Sequence, residues 1–169
     1  MRRHRAIVIG SIAALLVAGS IAAAMTAFGG TAAANACSRN QLNVRDNGSE
    51  GGAGTIRGAW VFTNRSDTTC SLNGYPDLQL FRNGGRPLST TTKKNLAPAP
   101  TRVVLHPDRS ATFLSSYSDV PSGSEKCGTS RVLEITAPGA TAGLFIPAKL
   151  GPCGGVIRVS AVEAGVHGP

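Results

Sequence analysis

Four cysteines constrain what this chain of 169 residues can become more than any other feature. Cys37, Cys70, Cys127 and Cys153 all fall beyond residue 36, and no two of them form a C-x-x-C pair. An even count in a small domain behind an apolar leader predicts two disulfides and an oxidising compartment. Without C-x-x-C spacing or interspersed histidine, a zinc site is not expected. The leader opens Met-Arg-Arg-His-Arg, continues through an apolar run from Ala6 to about Met25, and ends in small residues. That order describes a secretory signal, and both Ala32-Ala33-Ala34 and Ala34-Asn35-Ala36 have the A-x-A form of a cleavage site. We therefore expect residues 1–36 to be a signal peptide, with residues 37–169 as one exported, disulfide-stabilised domain. As a helix the apolar run is roughly 30 Å long, enough to span a bilayer. An uncleaved N-terminal anchor helix is thus one alternative, and lipidation at Cys37 is another. Every route leads outside the cytoplasm.

Beyond the leader, 14 basic residues face 9 acids, a net charge of +5. The cations are spread along the chain instead of forming the concentrated, aromatic-interleaved stripe that nucleic acid requires. A mildly cationic exported domain suits an anionic cell-wall polymer, a membrane surface or another extracellular protein.

From Cys37 onward, short apolar alternations are separated by Gly, Pro, Asn, Asp and Ser, with no helical period. Strands are expected around Leu42 and Val44, over Thr55–Asn64, around Leu78 and Leu80, over Arg102–Leu105 and Ala111–Tyr117, over Arg131–Thr136, briefly at Leu144–Ile146, and over Gly155–Val162. Asp46–Gly54 reads as a flexible connection, and Asn83-Gly84-Gly85 as a tight turn. Arg86–Thr101, with three prolines and a Ser/Thr run, reads as a long exposed loop with one short edge pairing at Leu88. Some seven to nine short strands argue for an all-β, immunoglobulin-like antiparallel β-sandwich centred on Trp60. If the first two strands are antiparallel neighbours, Cys37 at the start of one meets Cys70 just past the end of the other. The same logic brings Cys127 to Cys153, so the nested pairs are expected among the three connectivities that four cysteines allow.

The stretch from Trp60 to Pro76 has a physical job at almost every position. Asn64 and Ser66 can bond nearby backbone as the strand ends. Cys70 is expected to pin the turn, Gly74 to supply a positive φ, and Pro76 to fix φ before the next strand. Tyr75 is expected to bury its ring and tie a loop backbone through its hydroxyl, as in a tyrosine corner. F-T-N-R-S-D-T-T-C-S-L-N-G-Y-P (Phe62 to Pro76), V-L-H-P-D-R-S-A-T-F (Val104 to Phe113) and S-Y-S-D-V-P (Ser116 to Pro121), with Cys127 and Cys153, resemble the actinobacterial family 4232 of domains of unknown function. The likeness spans the exported domain and departs at Asp108-Arg109, where the family carries a glycine-containing turn. It implies an extracytoplasmic β-sandwich and transfers no catalytic residue.

Chemistry is sparse. The domain offers two histidines as bases: His106 before a proline, and His167 in the Gly-rich tail. G-x-S-x-G, H-E-x-x-H and P-loop patterns are missing, and the carboxylates are scattered over turns. No cofactor and no catalytic residue are expected. The candidate binding segment is the 86–101 loop, with Arg86, Lys93 and Lys94 on a proline-stiffened edge. The expectation is a monomeric, non-enzymatic binding module. A secreted protease inhibitor presenting that loop is one alternative; an enzyme whose site would gather Asp119, Asp77 or His106 is another.

Overall fold

The structure is a computed structural model, and it describes residues 33–95 and 98–169. The signal or anchor helix expected over residues 1–36 lies, up to Ala32, outside the described residues.

Among the described residues eleven strands build the fold, more than the seven to nine expected. They are β1 (Leu42–Gly52), β2 (Thr55–Asn64), β3 (Cys70–Asn73), β4 (Asp77–Phe81), β5 (Thr91–Lys94), β6 (Arg102–Leu105), β7 (Ser110–Ser118), β8 (Val132–Thr136), β9 (Leu144–Pro147), β10 (Val156–Val159) and β11 (Glu163–Ala164). The large sheet runs β1-β2-β7-β10-β5, with β11 also on β7; β4-β8-β9 forms a smaller sheet and β3-β6 a two-stranded one. Every pairing between strands is antiparallel except β5 with β10, which is parallel.

The core follows from the period of two along each strand. Trp60 and Phe62 on β2 face inward opposite Phe113 and Ala111 on β7, and the Phe62 and Phe113 rings lie 5.5 Å apart. Leu42 and Val44 from β1, Ile157 and Val159 from β10, and Leu78, Leu80, Leu133 and Ile135 from the small sheet complete one continuous cluster. Trp60 is 2% exposed, and its indole N–H donates to Ser115 Oγ at 2.8 Å, so the ring is buried with its polar edge satisfied. Gly58 makes room for that bond, since a Cβ there would lie 3.3 Å from Ser115 Oγ. Around Ala59 and Val61 the opposite face of β2 is covered too, and toward Arg57 it opens to solvent. The C-terminal segment folds back over it, with Thr112 Oγ1 donating to Gly165 O and Asn47 Nδ2 to His167 O.

Four local expectations need correction. Asp46–Gly54 is not a loose connection: β1 continues through Gly52 and pairs with β2 beyond a bulge between Asp46 and Ser49. The hairpin closes on Ala53 and Gly54, both at positive φ, so turn geometry and backbone bonds order residues that contribute nothing to the core. Cys70–Asn73, where no strand is expected, form β3, which pairs with β6 from Cys70 opposite Leu105 to Asn73 opposite Arg102, with Cys70 bridged to Cys37 directly after the turn. The 86–101 segment contains β5, held against β10, so it is not a free loop. Finally, β10 ends at Val159, and the chain re-pairs with β7 as β11 after an interruption at Ser160–Val162.

Threonine hydroxyls join the two larger sheets. Thr92 Oγ1 accepts from Leu78 N and donates to Leu78 O, while Thr90 Oγ1 accepts from Leu80 N. They engage the β4 edge that β8 leaves open, where the chain leading into β5 passes beside β4 and joins β10 in the large sheet.

Candidate functional site

The Trp60–Pro76 stretch is a structural joint. Asn64 is fully buried, and its amide makes every bond it can: Nδ2 donates to Thr68 O and Leu105 O, and Oδ1 accepts from Ser66 N and Ser66 Oγ. Its backbone meets the 106–109 turn, with Asn64 N donating to Arg109 O and Asp108 N donating to Asn64 O. One side chain thereby fixes the end of β2, the following turn and the end of β6. Asp108 has φ 59°, the left-handed conformation that glycine takes most easily and that aspartate tolerates. Gly74, at φ 115°, presents its carbonyl to Val162 N, and Pro76 is buried beside it.

Tyr75 departs from the expectation. Its ring packs against the core, but its buried hydroxyl has no hydrogen-bond partner, so it ties down no loop backbone. Its other neighbour is Lys94, whose Nζ sits 5.6 Å from the ring centroid in a cation–π contact.

Both disulfides join cysteines near in sequence. Cys37–Cys70 is buried, each residue 1% exposed; Cys127 is exposed and Cys153 buried in the second pair. The chain entering Cys37 lies alongside β3: Cys37 N donates to Ser71 O, Ser71 N to Asn35 O, and Arg102 bonds Ala34 O.

Arg86, Lys93 and Lys94 do not form one edge. Arg86 is exposed next to the 3-10 turn Asn83–Gly85, and its carbonyl accepts from Arg82 N. Lys93 and Lys94 are neighbours on β5 and point to opposite faces, Lys94 toward Tyr75 and Lys93 outward. What Lys93 joins there is a row that sequence reading missed. Across the outward face of the large sheet, Glu50, Arg57, Ser116, Arg158 and Lys93 stand opposite one another on β1, β2, β7, β10 and β5. Adjacent strands are about 4.8 Å apart, which places Arg158 and Lys93 side by side and Arg57 roughly 10 Å away. A shallow cleft of about 160 Å³ lies along this row, lined by Arg57, Leu114, Ser116, Arg158, Ser160 and Asn95.

The electrostatics are unbalanced. Arg57 reaches Glu50 only at 3.9 Å with both side chains more than half exposed, a weak pair. Among the described residues, Arg158 and Lys93 have no carboxylate within 4.0 Å. Like charges directly opposite on paired strands are destabilising, and this pair carries no internal compensation. The missing signal was lateral: Arg57 and Arg158 are ordinary outward positions of alternating strands, and no local pattern says that three strands align them.

The two histidines sit in local hydrogen bonds. His106 Nδ1 is 3.1 Å from Thr69 Oγ1, and His167 Nε2 is 2.7 Å from Ala164 O. Asp77 begins β4, Asp119 follows β7 and His106 follows β6, so three separate strand ends carry them. Burial pushes the Tyr117 hydroxyl above the ordinary range; the Asp119 charge adds to the rise, and a bond with the Gly151 backbone works against it.

Residues 37–163 match the model of a family described as Domain of unknown function (DUF4232). No curated protein and no solved structure matches the chain.

Proposed function

The chain belongs to the DUF4232 family of domains of unknown function, and on that footing we propose that it is an exported, non-enzymatic binding module for an anionic polymer of the cell envelope. The observation that supports this most is the Lys93–Arg158 pair, extended by Arg57 across a flat, hydroxyl-bearing sheet face. A linear polyanion laid across the strands supplies the counter-charge that the fold does not, and Ser116 and Asn95 offer hydrogen bonds beside it. The two disulfides suit an oxidising compartment. Residues 1–36 act as the export leader in this reading. Because Asn35 O bonds Ser71 N, cleavage after Ala34 leaves the docked segment more nearly intact than cleavage after Ala36; N-terminal sequencing of the secreted protein distinguishes the two.

Protease inhibition is the weaker reading, because β5 holds residues 91–94 in the sheet and withdraws them from any protruding loop. The test is co-sedimentation with isolated envelopes across a salt series. Binding that weakens as salt rises, and weakens further in R57S/K93S/R158S, supports the proposal. Equal retention of wild type and variant at all salts rejects it.

A further inference from the structure

A second cleft, of about 270 Å³, opens at the exposed disulfide, on residues that the cationic row does not use. Its walls are the residues flanking both cysteines: Lys126 and Gly128 around Cys127, and Pro152 and Gly154 around Cys153. The two cysteines also form an isolated antiparallel bridge, and Gly154 N donates to Lys126 O, so the walls are coupled by backbone as well as sulfur. Leu80 and Leu88, 0% and 8% exposed, lie at its floor, and Arg82 stands at the rim with Lys126. Neither cation has a carboxylate within 4.0 Å among the described residues. The Glu125 carboxylate accepts from Ser122 N at 3.2 Å and stands against the Gly154 wall, where a Cβ would come within 2.8 Å of its Oε1, so the two cations leave this end of the cleft with a net positive charge. Glycine at 128 keeps the cleft open over Leu88, since a Cβ there would come within 3.0 Å of Leu88 Cδ2.

Apolar floor, cationic rim and covalently clamped walls define one ligand chemistry. We propose that this cleft binds a small amphipathic anion, its carboxylate or phosphate head between Arg82 and Lys126 and a short alkyl chain over Leu80 and Leu88, and that the Cys127–Cys153 bond holds the walls at binding distance. The volume is just below the range of drug-sized pockets, which suits a headgroup with a chain of a few carbons.

The test follows backbone amide shifts of the disulfide-intact protein during titration with hexanoate, hexyl phosphate and hexanol. Both anions shift Lys126, Gly128 and Gly154 with a Kd of about 1 mM or tighter, and the tighter of the two identifies the natural head. Hexanol binds at least tenfold more weakly, and R82S/K126S, two exposed substitutions, weakens both anions at least tenfold. C127S/C153S weakens them similarly while the Trp60 indole resonance stays in place. Hexanol binding as tightly as the anions, full affinity in R82S/K126S, or shifts centred on Arg57 and Arg158 would overturn the site. Full affinity in C127S/C153S would overturn the role of the disulfide.

Discussion

The two disulfides close loops of similar length, 33 and 26 residues apart, yet they serve different surroundings. In the chain-entropy account each contributes about 3.5–4 kcal/mol, so loop length hardly separates them. Their neighbourhoods do. Cys37 and Cys70 are buried at the start of β3, beside Ser71 backbone bonds and within the main hydrophobic cluster. Cys127 is exposed, outside that cluster, in a loop region whose residues line a cleft. One bridge belongs to the packing of the core, and the other shapes a surface. In a sandwich this small, covalent links of the same kind can therefore be divided between holding the fold and holding a site.

Removing each bridge is the strongest way to break that comparison. C37S/C70S should cost about 4–5 kcal/mol, the lost cross-link plus two hydroxyls placed in an apolar site. C127S/C153S should cost less, about 3.5 kcal/mol, the lost cross-link with the hydroxyl at position 127 left in water. Urea unfolding measures both, and equal losses would erase the distinction. Next in size is Asn64→Ala. It deprives buried Leu105 O and half-buried Ser66 N of their partner, while Thr68 O keeps the Ser66 hydroxyl, a loss of about 2–3 kcal/mol that differential scanning calorimetry should register as a large fall in Tm.

Tyr75→Phe sharpens the contrast from the other side. A tyrosine corner would lose about 1 kcal/mol or more, but a hydroxyl buried without a partner predicts no loss, and a slight gain, in the same urea experiment. The smallest expected effect concerns pH. Burial raises the Tyr117 pKa in the folded state. The folded protein thus holds that proton more tightly than the unfolded chain, whose tyrosine titrates near 10. The associated stability is complete below about pH 10 and is lost as pH rises from there through the folded value. Tyr117→Phe should remove that part of the alkaline decline; identical wild-type and variant curves above pH 10 contradict it.

The legible parts of this molecule were those written along single strands. β2 is found over Thr55–Asn64 because alternation, a β-branched and aromatic composition and the Asn64 stop all agree. The large apolar residues at Trp60, Phe62, Phe113, Leu133 and Ile135 mark the core for the same reason. β5 was hidden because Thr91–Lys94 carries no apolar alternation; it is a strand through β10 and through threonine hydroxyls on the β4 edge. The 46–54 hairpin was hidden because glycines that weaken packing also supply its turn. Tyr75 shows the opposite failure, since a plausible local motif predicted a bond that the tertiary packing does not make. The cationic row was illegible in principle: Arg57, Arg158 and Lys93 are distant in sequence, and only sheet register sets them opposite one another.

Binding by this domain depends most on that row in the proposed function. The most direct measurement is the affinity of the wild-type protein and of R57S/K93S/R158S for a linear polyphosphate at low and at physiological salt. Three exposed contacts of about 1 kcal/mol each predict a loss of roughly a hundredfold at low salt, narrowing as salt screens both proteins. An affinity unchanged by the triple substitution, or insensitive to salt, would contradict the assignment of this face as the binding surface.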